Sequence, residues 1–235
     1  MLDKQPQNTN LTHEQRNPSS IFQDLTGNDA GGISTGAGTD AQKRRKSGRA
    51  LVSHSRLVAW ARENGREIDP ASFLNIEEAN FGGEHGVFLD PHTGRVVKLT
   101  KPGLYGYHAE DAGEYLQRWA LSNRLFHDDS SFEGVVLLPG ETEPRMVFSQ
   151  PFIKGRDSTP EEISDYLRGK GFVEHQGNWV HPILGVTVRD TLTEGNAITK
   201  GDGQVVPIDW IVEPTEKADL TEVRRRSGQG RESAF

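Results

Sequence analysis

Apolar positions along the chain change their spacing several times, and each change marks a new element. Over Ala50–Asn64, Leu57, Trp60 and Ala61 fall at i, i+3 and i+4 and Gly65 follows as a stop, which predicts a short amphipathic helix. From Phe73 to Leu99 the spacing becomes strand-like, broken by Gly82-Gly83-Glu84-His85-Gly86 and by a hairpin loop at Asp90-Pro91-His92-Thr93-Gly94. Pairing Leu89 with Arg95 sets Lys98 opposite Gly86 and puts Phe88, Val96 and Lys98 on one face of that hairpin. His108–Phe126 reads as a helix on which Tyr115/Trp119 and Leu121/Leu125 form i,i+4 pairs, and strands follow at Gly134–Leu138 and Arg145–Ser149.

Gln150-Pro151-Phe152-Ile153-Lys154-Gly155 then reads as a connector. A second helix starts at Thr159-Pro160-Glu161-Glu162, where Thr159 can cap, Pro160 suits the first turn and Glu162 completes a capping box. Phe172–Val180, with Gln176-Gly177-Asn178 at its centre, predicts a small hairpin, and Gly185-Val186-Thr187-Val188 a further strand. In the stretch that follows, Asp202-Gly203 is the kind of dipeptide that forms a two-residue turn. With that turn, Asn196 faces Asp209 across the ladder. The resulting fold class is α+β.

Composition separates the ends from the middle. Residues 1–49 are poor in apolar side chains and carry the run Gly31–Gly38, so they read as a disordered leader. Residues 216–235, with Arg224-Arg225-Arg226, read as a flexible basic tail, which leaves residues 50–215 as the domain. A formal charge of −7 argues against a general nucleic-acid binder. No run approaches the roughly 18 apolar residues needed to cross a bilayer, and the start lacks the regions of a signal peptide. With no cysteine there is neither a disulfide nor a thiolate nucleophile. The eight histidines show no zinc-ligand spacing, and no Gly-x-Ser-x-Gly elbow occurs.

The remaining chemistry is oxygen-rich. An Asn196 amide oxygen and an Asp209 carboxylate at one end of a hairpin suit Mg²⁺, a hard cation that binds one or two carboxylates together with substrate phosphates. Asp190 enters the same end, within reach to orient or deprotonate a hydroxyl. The same residues also suit a plain surface hairpin. Glycines at 82, 83 and 86 let backbone amides approach a phosphate, with Lys98 nearby, although a lone strand lysine is commonly a surface residue.

Taken in order, these segments resemble the protein-kinase-like superfamily, and within it the small kinase domains of polyvalent proteins from phages and conjugative elements. The residues that carry the resemblance are Gly82-Gly83-Glu84-His85-Gly86-Val87-Phe88, Val96-Val97-Lys98, Glu114-Tyr115-Leu116, Ser149-Gln150-Pro151-Phe152, Asp190…Glu194-Gly195-Asn196-Ala197-Ile198 and Val206-Pro207-Ile208-Asp209. It implies a two-lobed fold, with a small antiparallel sheet plus helix hinged to a reduced C-terminal lobe and nucleotide between them. It also implies ATP and Mg²⁺ as cofactors and a protein hydroxyl as acceptor. By the same resemblance Lys98 holds phosphates and pairs with Glu114, Asp190 handles the acceptor hydroxyl, and Asn196 and Asp209 bind the metal. Gln150 and Phe152 become the hinge that meets the adenine edge. The implied location is cytoplasmic, in a bacterium or in a host reached by a mobile element. Val188-Arg189-Asp190, the six-residue step to Asn196 and Asp209-Trp210-Ile211 depart from the family pattern. They motivate the alternative of a nucleotide-binding pseudokinase or interaction module, and a carboxylate-metal nuclease is a third reading.

Overall fold

A computed structural model of the chain describes residues 16–26, 52–73, 84–106 and 111–228. It is a mixed α+β protein with antiparallel sheets, and its chain divides into two compact units. The first takes the described parts of residues 1–30, 50–123 and 129–152, and the second the described parts of 31–49, 124–128 and 153–235. Among the described residues, no helix is long and apolar enough to cross a membrane.

The first unit opens with helix α1 (Pro18–Thr26), followed by α2 (His54–Glu63) and a 3-10 turn at Pro70–Ser72. Strands β1 (His85–Asp90) and β2 (Arg95–Thr100), helix α3 (Ala112–Phe126), and strands β3 (Ser131–Val136) and β4 (Arg145–Pro151) complete it, the last turn of α3 falling to the second unit. The strands form one antiparallel sheet in the order β1-β2-β4-β3. Alternation of side chains sends Met146 and Phe148 to one face and Val147 and Leu99 to the other. On the first face they join Tyr115, Leu116 and Trp119 of α3, Leu57 and Ala61 of α2, and Ile21, Phe22 and Leu25 of α1. On the second, Leu99, Val136 and Val147 pack with Ile68, Phe73, Phe88, Val97 and Leu138.

Helix α1 corrects the expectation of a disordered leader. Ile21, Phe22 and Leu25 share one helical face and are 1–2% exposed, while Asn17 Oδ1 accepts from Ser19 N–H at the start. A nine-residue helix is diluted in the average composition of a long polar segment, which is why composition alone misses it. The rest of that segment, the glycine run included, lies outside the described residues, as do residues 74–83 with Gly82, Gly83 and the first strand expected there.

Strand β3 is an edge strand, and the chain covers it. Ile68 N–H donates to Val135 O and Val135 N–H to Arg66 O, each at 2.8 Å, so residues 66–68 lie alongside the edge. A register shift between Phe132 and Gly134 makes room for this. A Cβ on Gly134, whose φ is +156°, would stand 2.3 Å from the Arg66 carbonyl oxygen, a contact no side-chain rotation relieves. Gly134→Ala is therefore expected to lower stability by about 1–3 kcal/mol, the scale of an overpacked core, read as a lower urea midpoint. Gly169→Ala, at a helical position with open space around it, should leave the midpoint unchanged or raise it.

The second unit holds β5 (Arg156–Asp157), α4 (Pro160–Gly169), β6 (Val173–His175), β7 (Asn178–His181), β8 (Val186–Arg189), β9 (Ala197–Thr199), β10 (Val205–Pro207), β11 (Ile211–Pro214) and α5 (Lys217–Arg226). Two antiparallel sheets result, ordered β10-β9-β5 and β11-β8-β7-β6. Helix α4 starts as its sequence predicts. Thr159 Oγ1 accepts from Glu162 N–H, and the Glu162 carboxylate accepts from Thr159 N–H. The β6–β7 hairpin also turns where expected, with Gln176 at φ 52° and Gly177 at φ 76°. Helix α5 corrects the expectation of a flexible tail: Val223 is fully buried, and Arg224 Nε donates to Pro182 O at 2.8 Å.

Two hairpins, β1–β2 and β9–β10, pair one residue away from the expected register. In β1–β2, Asp90 rather than Leu89 closes against Arg95, so Lys98 faces Val87, and Phe88 lies on the opposite face. Asp90 can end the strand because its carboxylate serves the turn as well, accepting from His92 N–H at 2.9 Å and Thr93 Oγ1 at 2.7 Å. In β9–β10, Gly203 N–H donates to Lys200 O and Lys200 N–H to Gln204 O. The loop is thus Gly201-Asp202-Gly203, with Gly203 left-handed at φ 84°, a three-residue turn where a two-residue one was expected. Val205 then pairs with Thr199 and Pro207 with Ala197.

Candidate functional site

Each unit carries part of the candidate chemistry. In the first, Lys98 stands on β2 between Val87 of β1 and Phe148 of β4, so it shares a face with Val87, Phe148 and, two positions along, Gln150. That is the face on which α3 packs. Tyr115 and Trp119, one helical turn apart, bracket Phe148, with ring centroids 5.3 and 4.9 Å from it. The Lys98 ammonium lies 5.2 Å from the Trp119 ring centroid, and the residue is 4% exposed. A cation so far removed from water needs compensation, and the negative face of an indole is one source of it.

Glu114 occupies the first turn of the same helix. Asp111, just before the helix, caps it, its Oδ1 accepting from Glu114 N–H at 2.9 Å. His85, from the glycine segment, is buried and shares a hydrogen bond through Nε2 with the Tyr115 hydroxyl, tying β1 to α3. Gly86 pairs with Leu99 inside the ladder rather than with Lys98.

The expected connector begins later than its sequence suggested, because β4 runs to Pro151 and places Gln150 in the ladder opposite Val96. Gln150 is 3% exposed, and its Oε1 has no hydrogen-bond partner among the described residues. Phe152 presents its ring to solvent, 57% exposed, while its N–H donates to Gly94 O.

In the second unit the chain leaves β8 at Asp190, which adopts φ 56°, a left-handed value that turns the backbone sharply. The loop closes on itself through Asn196. Asn196 Nδ2 donates to Asp190 O and to Asp190 Oδ2, both at 2.9 Å, and Asn196 N–H donates to Thr193 O at 3.0 Å. Asp190 Oδ1 accepts from the Thr193 hydroxyl. Asn196 O accepts from Ile208 N–H at 2.8 Å and from Asp209 N–H at 3.4 Å. The register offset therefore makes Ile208 the facing residue, yet the shared carbonyl keeps Asp209 next to Asn196.

Asp190 and Asn196 thus meet through their side chains at one end of β9–β10, and Asp209, a whole hairpin further along, reaches the same end through its backbone N–H. The donor set suits Mg²⁺: the Asn196 amide nitrogen is spent on Asp190, and its oxygen receives no hydrogen bond from any described residue. Among the described residues no group of three or more histidine, aspartate or glutamate side chains could hold a metal by itself.

No family model, curated protein or solved structure matches the chain.

Two features of this loop escape a reading of motifs. Thr193 is the first; its signal is the i,i+3 spacing from Asp190, by which a hydroxyl reaches back to a carboxylate. The second is Glu162, which does more than cap α4. It takes a two-pronged contact from Arg156, at 2.8 and 2.5 Å, and a hydrogen bond from Thr199 Oγ1 at 3.0 Å, binding the helix start to the strand that follows Asn196. Bonds from Arg156 and then from the Thr159 backbone hold its carboxyl down at about 2. A depressed carboxyl stabilises the folded state above the ordinary glutamate range, and the effect is lost as pH falls toward 2. Carboxyl titration by NMR is expected to show a Glu162 midpoint near 2, moving up toward the ordinary range in Arg156→Ala.

A cavity of about 40 Å³ lies beside the loop, lined by Asp157, Ser158, Pro160, Leu192, Thr193 and Glu194 among others. Ligand sites run to about 300–1,000 Å³, so this one is too small for a nucleotide.

Proposed function

We propose that the protein is an ATP- and Mg²⁺-dependent phosphotransferase of kinase-like fold that acts on a protein hydroxyl. The Asp190–Asn196 side-chain pair at one end of β9–β10, with the Asp209 backbone held on the Asn196 carbonyl, carries this reading. Phosphoryl transfer asks little covalent chemistry of a protein and much positioning and charge neutralisation. An acceptor hydroxyl donates to the Asp190 carboxylate, which orients it and receives its proton. Asn196 keeps Asp190 in place through two bonds from one amide and offers its own oxygen, with the Asp209 carboxylate, to the metal. When bound, Mg²⁺ supplies the positive charge that neutralises phosphate oxygens.

The first unit supports the same reading by the order of its elements. A strand with a buried lysine is followed by a helix with Glu114 in its first turn and then by two strands, and the lysine strand lies next to the last of them. Lys98 is assigned to the α/β-phosphates, Gly86 to the backbone near them, and Gln150 and Phe152 to the base.

Nucleotide binding without turnover is the second reading, and one observation favours it: both Asp190 oxygens are already engaged, by Thr193 and Asn196. An incoming hydroxyl meets a carboxylate each of whose oxygens already accepts a hydrogen bond. The two readings separate when the full chain is incubated with labelled ATP, Mg²⁺ and a generic protein acceptor, alongside a thermal melt with and without ATP. Label on the acceptor establishes transfer, Mg²⁺-dependent stabilisation without label establishes binding alone, and neither response removes both readings.

A further inference from the structure

We infer that Thr193 is itself a phosphoryl acceptor, so that the chain modifies its own loop beside Asp190. The inference rests on the phosphotransferase reading. A carboxylate that activates a hydroxyl must stand within hydrogen-bond reach of the proton it takes. Thr193 Oγ1 meets that requirement within the chain, since it donates to Asp190 Oδ1.

Its surroundings favour reaction over simple structural use. Thr193 is exposed, as are Leu192, Glu194 and Gly195 around it, whereas neighbouring Thr191 is 4% exposed and the Thr199 hydroxyl is committed to Ser158 and Glu162. The loop is also anchored at both ends of the triad it belongs to. Asn196 N–H holds Thr193 O while the Asn196 side chain holds Asp190, so the hydroxyl and the carboxylate are fixed relative to the proposed metal ligand.

The step balances without a further reactant. The Thr193 Oγ–P bond forms as the γ-phosphorus loses its bond to the β,γ-bridging oxygen of ATP. ADP leaves with that electron pair, and the hydroxyl proton passes to Asp190 Oδ1. The product places a charge of about −1.5 to −2 beside Asp190 and Glu194, which opposes a second phosphate at the same loop. The modified Thr193 also withdraws the Asp190 carboxylate from other acceptors.

The test incubates the full chain with ATP and Mg²⁺ and follows intact mass and the modified peptide. One phosphoryl group at position 193 is expected, at a rate independent of protein concentration. Thr193→Ser should keep the modification, and Thr193→Val should lose it while keeping its stabilisation by ATP. Label on an added protein acceptor with Thr193 unmodified overturns this inference and leaves the phosphotransferase reading standing. ATP stabilisation with no transfer anywhere overturns the inference in favour of binding alone, and the absence of any nucleotide response removes it together with the function it rests on.

Discussion

Lys98→Met is expected to lower ATP-dependent label transfer by about 10²- to 10³-fold, the scale of removing one preorganised charge from a reacting group, while the chain stays folded. Methionine keeps an unbranched stem against Trp119 and beside Phe148, so the packing that surrounds the lysine survives and its charge does not. Lys98→Arg is expected to fail as well, because a planar fork is bulkier than an ammonium and the site is only 4% exposed. Asp209→Asn should match Lys98→Met in transfer, for a different reason: it retains an oxygen but removes the negative charge a divalent cation requires. Steady-state rates at several Mg²⁺ concentrations tell the two apart, since excess metal should partly restore Asp209→Asn and leave Lys98→Met unchanged. Full transfer by Lys98→Met would show that the ammonium takes no part in the chemistry.

Local signals were legible wherever a side chain serves its own backbone neighbourhood. The Thr159–Glu162 capping box, the Gln176-Gly177 turn and the Tyr115/Trp119 ridge of α3 all form as their spacing predicts. Register was less legible. Each hairpin shifted by one residue for its own reason: Asp90 left the expected loop to close the strand while its carboxylate still serves the turn, and Gly201 joined its turn and lengthened it. In a strand such a shift exchanges the two faces, so Phe88 passes from the Lys98 side to the opposite core, while Val87 takes its place. At the candidate site the shift makes Ile208 the residue facing Asn196, and Asp209 keeps to that end of the hairpin through its backbone, because the Asn196 carbonyl accepts from both N–H groups. Helices α1 and α5 stayed hidden for another reason. Each rests on a few buried side chains, Ile21, Phe22 and Leu25 in one and Val223 in the other, inside polar segments whose average composition suggests nothing to bury.

Phe148→Ala should be the most damaging single change to the first unit, at about 3–5 kcal/mol. Phe148 is 1% exposed at the centre of an aromatic cluster, stacked on Trp119 at 4.9 Å and edge-on to Phe132 and Tyr115 at 5.2 and 5.3 Å. It is also the register partner of both Lys98 and Phe132, so β4 places it where the two neighbouring strands and α3 converge. Truncation removes apolar area and three ring contacts at once and leaves a cavity that rigid strands on either side cannot close. Against a total stability of about 5–15 kcal/mol, that loss removes roughly a fifth or more of it. Phe152→Ala, four residues along, should stay within about 0.5 kcal/mol of the parent, because its ring is 57% exposed. Urea unfolding followed by tryptophan fluorescence compares them directly, Trp119 reporting from the cluster itself. Equal midpoints for the two variants would mean that Phe148 is not packed as described, and with it would go the rigid wall on which Lys98 depends.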